Sequence, residues 1–146
     1  MLSVIVEAGG EGERLPGVLA ALTSAAVEGL VRDVAIVGGG PAELLAVLRE
    51  ETGAELATDT AQAIAAAKSD LLLVIGADFR PRAGWLEALA AHLRNGGREG
   101  VLAGEGGGFL KLAPYGVLIG KAKAAALAHP DLPRLRRSLG RGPRIG

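Results

Sequence analysis

The sequence predicts an α/β fold in which helices cover both faces of a mostly parallel β-sheet, a three-layer sandwich. Short apolar runs alternate with amphipathic segments, as where "DLLLVIGAD" (70–78) precedes "RAGWLEALAAHLRN" (82–95). Such runs are typical of strands that are buried on both faces. Strand–helix–strand alternation implies right-handed crossovers between parallel strands. The 146 residues are long enough to bury one core, so we expect a single domain over 1–146.

The part of the chain before residue 96 alternates strand and helix in order. Strands are predicted at 2–6, 33–37, 54–57 and 70–78, and helices at 13–30, 41–51, 59–69 and 82–95. Pro41 suits the first turn of the second helix, and Asp59 can cap the third.

The part of the chain after residue 96 is less regular. Residues 96–108 predict a flexible or hairpin-like region, followed by strands in "FLKLAP" (109–114) and "YGVLI" (115–119) and a helix at 121–128. The segment from Arg134 to Arg144 carries five arginines and no acid. We expect 134–146 to be a flexible basic tail. Peripheral contact of this tail with anionic lipid, or with a phosphate, is the alternative.

Composition excludes several classes of protein. Lys+Arg and Asp+Glu balance at 16 each and aromatic residues make up 3%, so a nucleic-acid binder that relies on a positive field or on stacking is not expected. The absence of cysteine excludes disulfides and thiolate catalysis. The start of the chain has neither a signal-like pattern nor an apolar run of membrane-spanning length, so we expect a cytoplasmic protein without a transmembrane segment.

Candidate ligand contacts follow three of the predicted strands, at 7–14, 38–43 and 76–80. In an open parallel sheet, ligands bind beyond the carboxyl ends of the strands. The stretch "EAGGEGERLPG" (7–17) resembles a loop that brings backbone close to a phosphate, but its spacing does not match the dinucleotide motif G-x-G-x-x-G. A strand-to-helix turn that simply needs glycine explains the stretch equally well.

Asp78 follows the most apolar strand. A carboxylate at this point is well placed to hold Mg²⁺ or Mn²⁺ against a nucleoside diphosphate, because these cations prefer oxygen ligands and bridge phosphate charge. One carboxylate alone makes a poor metal site. Asp78 as the cap of a turn or helix is an equally good interpretation.

The motifs "ERLPGVLAAL", "EGLVRDVAIVGGG" and "SDLLLVIGADFRPRAGWLEALAAHL", in this order, resemble the nucleotide-sugar-binding half of family 2 glycosyltransferases, which have the Rossmann-like GT-A fold. The resemblance covers about residues 2–93 and returns faintly near the C-terminus. It implies a UDP- or GDP-linked sugar as ligand and Asp78 as the contact for Mg²⁺ or Mn²⁺. The nucleotide-binding positions that it implies are Gly9, Gly10, Glu11, Glu13, Gly38 and Glu43.

The chain departs from the family pattern at positions where the family places its ligand contacts. Gly10, Gly38 and Gly76 stand where the family has polar residues, and Glu7 stands where it has proline. The acceptor-side acidic pair that supplies the general base has no convincing match, since only Asp131 lies in that region. The resemblance therefore implies a degenerate active site, with glycosyl transfer reduced or lost, and names no catalytic residue.

Two other functions stay open. A catalytically inactive relative could act as a binding or assembly module, as a homo-oligomer or with a protein partner. Alternatively, "AGGEGERL" (8–15) is similar to the phosphate-cradling loop of nucleotidyltransferases. Those enzymes follow the loop with a lysine, whereas the first lysine here is Lys68. Whether the chain is an enzyme at all is left open by the sequence.

Overall fold

A seven-stranded β-sheet organises residues 1–107 and 113–146, which are the residues described by the computed structural model. The strands are β1 (Leu2–Gly9), β2 (Val31–Gly38), β3 (Glu55–Ala57), β4 (Leu71–Gly76), β5 (Gly100–Ala103), β6 (Tyr115–Gly120) and β7 (Arg144–Ile145). The helices are α1 (Leu15–Val27), α2 (Ala42–Thr52), α3 (Thr60–Ala66), α4 (Trp85–Arg94), α5 (Lys121–Ala125) and α6 (Leu132–Ser138). A short 3₁₀ turn at Gly12–Arg14 precedes α1.

The strand order is β3-β2-β1-β4-β6-β5-β7. The first four strands run parallel, and Val4 of β1 is paired with Val34 of β2 on one side and Leu73 of β4 on the other. β6 runs antiparallel to β4 and β5, whereas β7 is parallel to β5. The predicted mostly parallel sheet is confirmed. The chain moves outward from β1 to β3 and then returns to the other side of β1, which makes the β1–β4 boundary a topological switch point.

Helices cover both faces of the sheet, as predicted. Leu73 and Ile75 of β4 pack in one apolar layer with α1, α2 and α4, whereas Leu72 and Val74 pack in the other layer with α3, α5 and α6. This alternation follows from the period of two along a strand and explains why the strand sequence is apolar throughout. Burying each such side chain contributes about 1.5–3 kcal/mol.

The ends of the elements follow local sequence signals. The carboxylate of Asp59 accepts a hydrogen bond from the backbone nitrogen of Gln62 at 2.7 Å, which confirms its predicted role as the cap of α3. Pro41 is the N-cap residue of α2 and therefore precedes the first turn instead of lying in it. The strand predicted at 115–119 is confirmed as β6. Most of "FLKLAP" lies outside the described residues, because these exclude 108–112.

The C-terminal segment differs from the flexible tail that the sequence predicts. Residues Leu132–Ser138 form α6, and Ile145 of β7 pairs with Leu102 of β5. The apolar residues among the arginines explain the difference, since Leu135 and Ile145 are almost completely buried. Gly100 leaves room for Ile145, because a Cβ at Gly100 would lie 2.8 Å from the Ile145 Cδ1 atom.

No helix within residues 1–107 and 113–146 is both long enough and apolar enough to cross a membrane.

Candidate functional site

The carboxyl ends of β1, β2 and β4 meet at one edge of the sheet, beside the topological switch point. β1 ends at Gly9, β2 at Gly38 and β4 at Gly76. Gly9 is paired with Gly38 after a register shift that follows Glu7, and Glu7 is paired with Gly76. The three segments that the sequence singles out are therefore neighbours in space. This is the edge at which open α/β sheets bind ligands.

The loops after β1 and β2 are joined by their backbones. The Gly39 nitrogen donates a hydrogen bond to the Gly9 oxygen at 2.8 Å. A Cβ at Gly12 would lie 1.8 Å from the Gly39 oxygen, so only glycine fits at position 12 without a shift of the backbone. Gly38 has a φ of +74°, a conformation that side-chain-bearing residues rarely adopt. Gly12 and Gly38 thus have a structural reason, whether or not a phosphate is bound.

The candidate nucleotide-binding residues lie on the exposed side of these joined loops. The structure gives Gly9, Gly10, Glu11 and Glu13 as exposed, together with Gly38 and with Glu43 in the first turn of α2. The Glu11 carboxylate lies 3.7 Å from the Arg14 guanidinium, and both side chains are about half exposed. A pair of this kind contributes about 0–1 kcal/mol. The rim is acidic and is free to reorganise around a ligand.

Asp78 lies in a tight turn directly after β4 and is exposed to solvent. Its neighbours Ala77 and Phe79 are each 2% exposed, and the Phe79 nitrogen donates to the Gly76 oxygen at 3.1 Å. The carboxylate lies over Gly76, because a Cβ at Gly76 would be 2.7 Å from the Asp78 Oδ1 atom. The N-cap residue of α4 is Gly84, so Asp78 does not cap that helix. A rigid turn therefore presents one carboxylate at the switch point.

The described residues do not form a complete metal centre by themselves. In residues 1–107 and 113–146, no three histidine, aspartate or glutamate side chains are close enough together to hold an ion. Position 76 is a glycine and offers no side-chain ligand. The carboxylate at the end of β4 is therefore that of Asp78. Mg²⁺ is often bound by one or two carboxylates together with substrate phosphates. The residues present thus fit a divalent cation only where a diphosphate supplies the remaining ligands.

Glu7 ties the end of β1 to two helices that lie far apart in the sequence. Its carboxylate accepts a hydrogen bond from the Thr60 hydroxyl at 2.6 Å and from the Leu132 backbone nitrogen at 3.1 Å. These donors are the first residues of α3 and α6. A carboxylate is favourable there because helix N-termini carry unpaired N–H groups and partial positive charge. The sequence places Glu7 in the candidate segment 7–14 and as a departure from the family pattern, but gives no sign of its contacts with these two helices.

Arg80 joins the turn that carries Asp78 to the start of α1, a role that sequence reasoning missed. Its guanidinium donates to the backbone oxygens of Ala77 at 2.9 Å, Phe79 at 2.7 Å and Arg14 at 3.1 Å. It also lies against Gly17, where a Cβ would be 2.5 Å from the Arg80 Nη2 atom. The sequence signal was an arginine shortly after a glycine-ended strand, which by itself predicts no partner.

Comparisons with known proteins concern the fold. No protein-family model and no curated protein sequence matches the chain. The structure is similar to that of glucosyl-3-phosphoglycerate synthase from Mycobacterium tuberculosis in complex with phosphoglyceric acid, with a TM-score of 0.60 and 17% identity. That match covers 87% of this chain and 59% of the synthase chain. Another structure of this synthase, with Mn²⁺, UDP and glucosyl-3-phosphoglycerate, matches at a TM-score of 0.47, 20% identity, and 64% and 39% coverage.

A nucleotidyltransferase is similar in structure as well. The 2-C-methyl-D-erythritol 4-phosphate cytidylyltransferase of Thermus thermophilus matches with a TM-score of 0.56 and 18% identity. The match covers 99% of this chain and 87% of the cytidylyltransferase chain. At these identities the two matches with TM-scores above 0.5 show the fold, a GT-A-like α/β sandwich with a mostly parallel sheet. The chain spans 59% of the length of the synthase that it matches.

Proposed function

We propose that this chain is a glycosyltransferase family 2-like domain that binds a nucleoside-diphosphate sugar and transfers the sugar weakly or not at all. The observation that carries the proposal is the position of Asp78. This carboxylate is exposed on a buried, hydrogen-bonded turn after β4, at the switch point of a GT-A-like sheet. A site at the switch point is where this class of sheet binds nucleotides.

The proposed site divides the ligand between two regions. The nucleoside of a UDP- or GDP-linked sugar lies over the joined loops, near Gly9 and Gly10, with the carboxylates of Glu11, Glu13 and Glu43 around it and Gly38 below it. The diphosphate lies toward the end of β4. Arg80 already donates to three backbone oxygens, so it is not free to neutralise phosphate charge. Mg²⁺ or Mn²⁺ held by Asp78 would supply that neutralisation.

Weak transfer is expected because, within residues 1–107 and 113–146, Asp131 is the acid in the region where the family has its acceptor-side pair, and it is already engaged. An inverting transfer needs a carboxylate base near the acceptor hydroxyl. The Asp131 carboxylate accepts hydrogen bonds from the Arg134 backbone nitrogen at 2.9 Å and from its Nη1 at 2.8 Å, so it caps α6. Loss of a general base typically slows a reaction by about 10²–10⁴-fold. A wholly inactive relative, acting as a binding or assembly module, is the limiting case.

A second candidate function is nucleotidyl transfer. It is favoured by the match to the cytidylyltransferase, which spans nearly the whole of both chains, and by the glycine-rich loop 8–15. In this alternative the loop holds a nucleoside triphosphate rather than a diphosphate sugar. The lack of a lysine before Lys68 counts against it, since a cation usually neutralises the triphosphate.

A panel of nucleotides tests both candidates by thermal unfolding. We expect UDP or GDP with Mn²⁺ to raise the melting temperature, because a ligand that binds only the folded state stabilises it. At tenfold excess over the dissociation constant the gain is about 1.4 kcal/mol, or about 3–6 °C. Asp78→Ala should remove the dependence on Mn²⁺. Asp70→Ala is the matched control, since Asp70 is exposed at the opposite end of β4.

The outcomes separate the candidates. Stabilisation by CTP or another triphosphate, with none by diphosphates, would favour nucleotidyl transfer. No stabilisation by any nucleotide at millimolar concentration would contradict both functions.

A further inference from the structure

A small pocket lined by three arginines lies on the face of the sheet that α6 covers, between β5, β6 and β7. We propose that this pocket binds the phosphoryl group of a small molecule. Its volume is about 150 Å³. The described residues that line it are Arg82, Arg136, Arg144, Tyr115, Val101, Ala103, Ala113 and Pro114.

The three arginines come from separate elements, and the side chains of Arg82 and Arg136 are held by described contacts, whereas Arg144 is placed by its strand and is exposed. Arg82 follows β4 and donates its Nε hydrogen to the Gly104 backbone oxygen at 3.0 Å. Arg136 of α6 lies with its guanidinium carbon 4.2 Å from the centre of the Tyr115 ring, a cation–π contact. Arg144 belongs to β7, in register with Val101 of β5. Guanidinium groups that are held in place before binding lose less freedom when an anion arrives.

The charge of the pocket favours an anion. Its described lining contains three cations and no acid. Like charges brought together on low-dielectric walls repel one another, and a bound anion relieves that repulsion. The guanidinium fork matches the geometry of phosphate oxygens and can bind two of them at once. A phosphoryl dianion also matches three positive charges better than a single carboxylate does.

The size of the pocket limits the ligand. Pockets that enclose drug-sized molecules measure about 300–1,000 Å³. A pocket of about 150 Å³ is too small for a nucleotide and large enough for one phosphoryl group with a short organic part. Inorganic phosphate and a small phosphate monoester share this chemistry, and Val101 and Pro114 supply apolar wall for the organic part.

The pocket lies at the same end of the sheet as Asp78. β6 is antiparallel to β4 and pairs Gly116 with Ile75, so Tyr115 lies beside the end of β4. A ligand held here would therefore be a second small molecule close to the proposed nucleotide site. Binding in the pocket requires neither nucleotide nor metal. This proposal can therefore be tested separately from the proposed function.

Isothermal titration calorimetry of the full chain tests the proposal, with inorganic phosphate and glycerol 3-phosphate as probes. The titrations contain no nucleotide or metal, and chloride keeps the ionic strength constant. We expect saturable binding of both probes. Tighter binding of glycerol 3-phosphate would identify a phosphate monoester as the natural ligand, and tighter binding of phosphate would identify the free ion. Arg136→Gln and Arg144→Gln should each weaken binding about tenfold or more, since each removes charged hydrogen bonds.

Arg137→Gln and Arg141→Gln are the matched controls. Both residues are exposed in the same segment and outside the lining of the pocket, and each substitution removes one positive charge. The proposal predicts that the controls change affinity less than twofold. Absence of saturable binding to the wild-type chain would overturn it, as would equal weakening by controls and pocket variants. Binding to phosphatidylserine vesicles that depends equally on all four arginines, without phosphate binding, would indicate a membrane surface and would also overturn it.

Discussion

The edge of the sheet contains two regions that use glycine for different reasons. In the joined loops after β1 and β2, a side chain at Gly12 would meet the Gly39 backbone oxygen at 1.8 Å. In the turn after β4, the nearest atom to a Cβ at Gly76 is the Oδ1 atom of Asp78, the end of a movable side chain. Glycine is thus required by backbone packing in the first region and only by a neighbouring carboxylate in the second. Among the glycines that depart from the glycosyltransferase pattern, Gly38 has a positive φ and therefore a backbone reason, whereas Gly76 has none.

Gly12→Ala is expected to have the largest effect on the joined loops. The added methyl group must displace the Gly39 carbonyl, so we expect a loss of about 3 kcal/mol or more in the free energy of unfolding. Urea denaturation followed by circular dichroism measures this loss in the free energy of unfolding. Gly10→Ala is the control, because a Cβ at Gly10 meets nothing within 4 Å. It should change stability by less than about 0.5 kcal/mol. Equal effects of the two variants would disprove the contact between the loops.

Placing an aspartate at Gly38 and at Gly76, two of the three positions that depart from the glycosyltransferase pattern, sharpens the comparison. Gly38→Asp should destabilise the fold by about 1–3 kcal/mol, because Gly38 has a positive φ and a Cβ there would lie 3.1 Å from the Gly9 oxygen. Gly76→Asp should cost about 1 kcal/mol or more, because the new carboxylate starts from a buried position and repels the carboxylate of the exposed Asp78. Unfolding with and without Mn²⁺ measures both effects.

Mn²⁺ should restore the free energy of unfolding that is lost in the Gly76→Asp variant, since two adjacent carboxylates can share the cation. A Gly76→Asp variant that Mn²⁺ does not stabilise would show that the turn after β4 cannot form a metal site.

Arg80→Ala should have a smaller effect, centred on the second region and on its contact with the start of α1. It removes the hydrogen bonds to the oxygens of Ala77, Phe79 and Arg14, and part of this group is solvated, so we expect a loss of about 1–2 kcal/mol. Hydrogen exchange should show faster opening of the turn that carries Asp78, with the β1–α1 loop much less affected. Arg82→Ala, which removes a single described bond, is the comparison. Unchanged exchange in that turn would count against a positioning role for Arg80.

The sequence predicted most of the fold because the necessary signals are local. The apolar run at 70–78 and the amphipathic segment after it were sufficient to predict β4 and α4. Asp59 was predicted as a cap from its place before a helical pattern. Parallel order follows from the alternation of such segments. The predicted flexible tail was wrong because arginine content dominated the interpretation, while Leu135, Leu139 and Ile145 supply the burial that orders the segment.

The geometry of the site could not be predicted because it depends on contacts between distant segments. Glu7 and Leu132 are separated by 125 positions, and Arg80 and Arg14 by 66. Nothing local to Gly12 indicates that Gly39 lies against it. Asp78 was found from its position after a strand, but the placement of its carboxylate over Gly76 depends on side-chain orientation. Sequence reasoning therefore located the edge of the sheet and the place of Asp78 on it, but not the residues that position its turn.

Calorimetric titration of UDP and of GDP, each with and without Mn²⁺, into the wild-type chain and into Asp78→Asn tests the central claim most directly. Asparagine keeps the size of the side chain and removes its charge. We expect the wild-type chain to bind one of the nucleotides at least about tenfold more tightly with Mn²⁺, and the variant to lose that gain, because a cation shared by carboxylate and diphosphate couples the two. Equal affinity with and without Mn²⁺, or a gain that survives in Asp78→Asn, would contradict the account.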